Sequence, residues 1–149
     1  MKFKWLSFLM ALFAVLHLAM PALATRATIT PQFCGALLGG SPAADQFKIT
    51  WTAADASNFN DVALTGNDYL LVWNTHASTD YTVTVHTTAD ENGRTGDITT
   101  YNIGASTIHV LGPFKLTGFA QTNGRLNIDG SNASIKFAVL TVRGNAVYK

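Results

Sequence analysis

From Phe47 onward the chain is built of short runs that alternate apolar and polar residues, cut every few positions by turn formers. Such a pattern leaves room for little besides β-strands. Phe47-Lys48-Ile49-Thr50-Trp51 places Phe47, Ile49 and Trp51 on one face. Tyr69-Leu70-Leu71-Val72-Trp73 is apolar on both faces and reads as a central, doubly covered strand, with Trp73 in the core beside Tyr69 and Leu71. Tyr81-Thr82-Val83-Thr84-Val85 alternates cleanly, and the polar turn over residues 74–80 predicts that these two strands form a hairpin. Residues 89–96 carry Asp90, Asn92, Gly93 and Gly96 and read as a turn, while residues 53–60 read as a loop or one helical turn. Further strands are predicted over residues 98–103, 107–111, 114–119, 125–128 and 134–142, the last being the longest apolar run near the end. The total is an all-β fold. A single β-sandwich or jelly-roll-like domain of about eight short antiparallel strands is expected over residues 47–149. Composition agrees: Glu91 is the only glutamate, and helix formers other than Ala and Leu are scarce.

Two segments precede this domain. Residues 1–24 form a hydrophobic segment like a signal peptide: Lys2 and Lys4, an apolar stretch from Leu6 to Leu18, then Pro21 and the A-x-A site Ala22-Leu23-Ala24. Cleavage there would make Thr25 the first residue. Removing Lys2 and Lys4 from ten basic residues leaves eight against nine acidic ones, a formal charge of −1. An uncleaved segment would be the protein's one route to a membrane. A start at the in-frame Met20 would keep the protein cytosolic. Residues 25–46 read as an extended arm, broken by Pro31, Gly35, Gly39, Gly40 and Pro42, that packs on its own domain or reaches a neighbour.

Charge excludes several functions. Charged residues are 13% of the chain with no acidic or basic block, so no nucleic-acid partner is expected. Cys34 is the only cysteine, which rules out an intrachain disulfide and reads as a small buried hydrophobe. His76, His86 and His109 have no close metal-ligand spacing and read as exposed strand or turn residues. Asp90-Glu91-Asn92-Gly93 and Asp129-Gly130-Ser131-Asn132 match no calcium loop and suit ordinary turns. Asn132-Ala133-Ser134 is a formal glycosylation sequon. No nucleophile elbow, zinc-protease or phosphate-loop motif occurs. The expectation is a non-enzymatic protein with no cofactor and no metal.

The aromatic residues carry more information. Most alternate with Val and Ile and belong in a core, leaving a few for a sugar or a neighbouring subunit. Gly112-Pro113-Phe114-Lys115-Leu116 lacks alternation and reads as an exposed apolar loop. Thr28-Ile29-Thr30-Pro31-Gln32, Thr52-Ala53-Ala54-Asp55-Ala56, Tyr69-Leu70-Leu71-Val72-Trp73-Asn74, Thr82-Val83-Thr84-Val85, Asp97, Gly112-Pro113-Phe114 and Ala138-Val139-Leu140 follow one another in order. In this succession the chain resembles the small capsid-associated, head-decorating β-sandwich proteins of tailed bacteriophages. The resemblance implies a homo-oligomeric virion protein that binds the major capsid protein from outside and stiffens the shell. Its contacts would come from the arm and the apolar loop, through Ile29, Pro31, Phe33, Pro113, Phe114, Leu116 and Phe119. The signal-like N-terminus favours the alternative: a secreted or cell-surface sandwich that binds carbohydrate or assembles into a layer or filament.

Overall fold

A computed structural model describes residues 25–34 and 48–142. The hydrophobic segment 1–24, Phe47 and most of the arm lie outside the described residues. Among the described residues, ten strands build two mixed sheets. They are β1 (Ala27–Thr28), β2 (Pro31–Cys34), β3 (Thr52–Ala53), β4 (Asn60–Ala63), β5 (Asp68–Asn74), β6 (Tyr81–Val85), β7 (Ile98–Ile103), β8 (Ile108–Phe114), β9 (Arg125–Gly130) and β10 (Ile135–Val142).

The first sheet runs β1-β4-β9-β6-β7 and the second β2-β10-β5-β8, with β3 also paired to β10. Among themselves, strands β3 to β10 pair only antiparallel, in the orders β4-β9-β6-β7 and β3-β10-β5-β8. The sequence predicts about eight antiparallel strands; the described residues hold ten in mixed sheets, and β4 lies where no strand is expected. The arm adds the other two, each parallel: β1 beside β4 and β2 beside β10. Only Ile29 and Thr30 separate β1 from β2, so the chain steps from one sheet to the other in two residues. Ile29 is buried at that step.

Alternation assigns the core. Val83 and Val85 of β6, Leu126 and Ile128 of β9, Leu70 and Val72 of β5, and Ile135, Phe137 and Val139 of β10 are all fully buried in one cluster between the sheets. Gly130 is required where β9 faces the second sheet. A Cβ there would lie 2.6 Å from Ala54 Cβ and 3.2 Å from Phe137 Cζ.

The structure departs from the sequence expectations in other strands as well. Strands β5 and β6 do not form a hairpin, because they belong to opposite sheets. The turn between them is held by buried Asn74, whose amide donates to the carbonyls of Thr79 and Ile103. Residues 48–51 are not a strand; the pairing is confined to Thr52–Ala53. Strand β8 does not stop before Gly112-Pro113 but continues to Phe114, since a proline is tolerated on an edge strand. Leu116–Phe119 is not a strand but a broken helical turn, with Thr117 and Gly118 outside helical dihedrals.

Candidate functional site

Two surfaces stand out, one on the outer face of each sheet. On the second sheet, Leu70 and Val72 point inward, so Tyr69, Leu71 and Trp73 point outward. Register extends this into rows across the sheet: Ile108, Trp73 and Lys136; Val110, Leu71 and Ala138; Tyr69, Leu140 and Gln32. The face is apolar almost throughout. Trp73 is therefore not a core residue but lies half-buried on the outer face. Its ring meets Trp51 at 5.4 Å, and Lys136 Nζ sits 5.8 Å from its centroid. At the β8 edge, Ile108 is 55% exposed and Val110 61% exposed. Neither was anticipated as a contact residue. The signal was present in Ile108-His109-Val110-Leu111, where alternation between two apolar faces leaves one of them outside.

The seven residues expected at an interface divide. Ile29 and Phe114 are buried in the core and cannot form a surface. Phe119 is half-buried, its ring edge-on to Phe114 at 4.9 Å. Pro31 is half-buried in β2 opposite Val139. Phe33, Pro113 and Leu116 are exposed. The fold does not bring these three together across the face. Phe33 lies on β2 and Pro113 on β8, at opposite edges of the sheet. Three inter-strand steps separate them, about 14 Å.

On the first sheet, a network of charges surrounds the end of β9. Asp129 accepts from Arg26 through Oδ1 at 2.7 Å and lies against His86 Nε2 through Oδ2 at 2.6 Å. His86 Nδ1 faces Asp97 Oδ2 at 3.1 Å. Both ring nitrogens thus face carboxylates, which only the doubly protonated imidazolium satisfies. Partial burial pulls the His86 pKa down, but the hydrogen bonds and charges of Asp129 and Asp97 outweigh it and raise it. Asp97 is held below the usual carboxylate range, chiefly by the Thr87 backbone N–H. The arm is tied down by a second pair. Arg125 grips Asp61 through two nitrogens, each at 2.7 Å, and also donates to Thr28.

Beside this network lies a shallow depression of about 190 Å³ lined by Ala56, Phe59, Thr82, Thr84, Asp129, Gly130 and Ser131. Phe59 is partly exposed and has a left-handed φ of 65°, and the Arg26 guanidinium sits 5.2 Å from its ring centroid.

The other chemistry-bearing side chains serve the fold. His76 Nδ1 accepts from the backbone of Ser78 and Thr79. His109 is half-buried rather than exposed, edge-on to Tyr101 and 3.2 Å from its hydroxyl. Asp90 caps its own turn through the N–H groups of Asn92 and Arg94. Among the described residues, no group of three or more His, Cys, Asp or Glu could hold a metal, and no helix is long and apolar enough to cross a membrane. The Cys34 side chain lies outside the description. No family model, curated protein or solved structure matches the chain.

Proposed function

We propose that the domain is a jelly roll and acts as a non-enzymatic virion protein that binds the outside of an assembled capsid and stabilises it. The strand orders β4-β9-β6-β7 and β3-β10-β5-β8 support the jelly-roll reading, since successive strands feed two four-stranded sheets in that arrangement. Jelly rolls serve as capsid and as lectin domains, so topology leaves the function open. The observation that carries the reading is the outer face of the second sheet. Single exposed apolar residues are ordinary, but Ile108 and Val110 stand side by side on an edge strand and share their face with half-buried Trp73 and Leu140. Such a face is suited to cover by another protein surface, here the major capsid protein and neighbouring copies of this chain.

The mechanism is mass action. A protein that contacts neighbouring capsomers at once binds only the assembled state, and each bound copy shifts the equilibrium towards it. The resemblance to head-decorating proteins supports the same reading, with the protein on the virion surface. Heating shells of the major capsid protein with and without this protein tests the proposal. Shells should melt at a higher temperature when it is bound, and less so with the double variant Ile108→Thr, Val110→Thr. Unchanged melting with the unaltered protein would refute the stabilising role.

A further inference from the structure

The depression on the outer face of the first sheet lies apart from the apolar face assigned to assembly. We propose that it is a glycan-binding subsite that takes one neutral pyranose unit. Its size fits: about 190 Å³ is the room of roughly six water molecules at ~30 Å³ each, the bulk of a single hexose ring. Its chemistry also fits. A pyranose presents an apolar C–H face and a rim of hydroxyl groups, so its site needs an aromatic surface with hydrogen-bonding groups around it. Phe59 supplies the surface. Thr84 and Ser131 supply oriented hydroxyls, since each oxygen already accepts a backbone N–H, from Thr100 and Thr82 respectively, and so keeps its O–H to donate; Thr82 adds a third hydroxyl to the lining. Asp129 supplies acceptors. Arg26 and His86 fix its carboxylate from two sides, and each oxygen retains a lone pair for a sugar hydroxyl.

The site is rigid before any ligand arrives. A left-handed φ is unfavourable for a bulky aromatic residue, and it persists only where the surroundings impose it. They do so here. Phe59 N–H donates to the Asp55 carbonyl at 2.7 Å, and the Phe59 carbonyl accepts from Ala27 N–H at 2.8 Å. The ring it displays is partly exposed. Holding an aromatic ring outward at a conformational cost is what a stacking platform requires. The carboxylate in the lining disfavours phosphate or sulfate. Pairing of Asp129 with Arg26 and His86 leaves no unpaired acid to seek a cation, which points to a neutral polyol.

Saturation-transfer NMR tests this with the methyl glycosides of glucose, galactose, mannose and N-acetylglucosamine as probes. The full chain is compared with Phe59→Gly and Thr82→Val. Glycine relieves the left-handed φ, and valine keeps the β-branched shape on an exposed strand face, so both variants should melt cooperatively near the unaltered protein. Ring protons of at least one glycoside should receive saturation. The signal should vanish in Phe59→Gly and weaken several-fold in Thr82→Val. Absence of transfer to all four glycosides would overturn the proposal. So would transfer that is equal in the two variants and the unaltered protein. Shell melting does not involve these residues, so either reading can fail alone.

Discussion

Replacing Asp68 is the sharpest probe of what holds the second sheet in shape. Asp68 opens β5 and is 1% exposed. One carboxylate oxygen accepts from the N–H groups of Thr65 at 2.5 Å and Gly66 at 3.0 Å. The other accepts from the hydroxyls of Thr65 at 2.9 Å and Thr141 at 2.6 Å. Hydrogen bonds to a charged group contribute about 1.5–3 kcal/mol each. Thr65 is exposed and Gly66 half-buried, so water recovers much of the loss on that side. Thr141 is buried, and its hydroxyl would be left without an acceptor. Asp68→Ala should therefore lower stability by about 3 kcal/mol. In Asp68→Asn the remaining oxygen still serves the two N–H groups, and the amide NH₂ faces two hydroxyls that can turn round and accept. Its cost should be about 1 kcal/mol. Urea unfolding with an unchanged m-value reads the difference as a shift in midpoint. Equal costs for the two variants, or a cost below about 1 kcal/mol for Asp68→Ala, would show that the carboxylate does not anchor this corner.

Three other outcomes follow from the geometry. The His86 clamp stabilises the fold most below the ordinary histidine pKa of 6.5 and loses that contribution as pH rises through the raised folded value. The melting temperature of the unaltered protein should thus exceed that of His86→Gln clearly at about pH 5.5 and converge with it above about pH 8; a constant gap would refute the clamp. Gly130→Val should cost about 1–3 kcal/mol or more in chemical denaturation, because its Cβ would meet Ala54 and Phe137 of the facing sheet. Ile108→Thr with Val110→Thr should leave monomer stability within about 0.5 kcal/mol. The roughly half-exposed side chains have on the order of 1 kcal/mol each left to bury, so co-sedimentation with shells should weaken about 30-fold.

Alternation told which residues face inward, and where it was clean the strands lie where it put them: β6 and β10 match their sequence boundaries to within a residue. It could not name partners. Nothing in Tyr69-Leu70-Leu71-Val72-Trp73 distinguishes a hairpin with β6 from a crossing to the other sheet, because both satisfy the same inward set. It also failed where both faces are apolar, which is why Trp73 read as core and Ile108 and Val110 went unnoticed. Ile29 and Phe114 read as contact residues because turn formers surround them, yet each closes the core at a place where the chain changes direction. The charge network was illegible for another reason. His86 lies 11 residues from Asp97 and 43 from Asp129, and only the pairing of β6 with β7 and with β9 brings the three together. The left-handed φ falls on Phe59 itself and not on the flanking Asn58 or Asn60, where it would be expected.

The place of β10 in the second sheet sets the order in which the chain can finish folding as it leaves the ribosome. β2, β3 and β5 all pair with β10, the last strand made. Until residues 135–142 emerge, the only pairing of that sheet available to the nascent chain is β5 with β8. β2 must wait through more than a hundred residues of synthesis for its partner, while β4, β9, β6 and β7 of the other sheet can already assemble. Shortening the chain by its final strand would therefore remove the seam of a whole layer, not one strand of it. A half-made molecule would expose the inner face of the completed sheet, the state most in need of a chaperone.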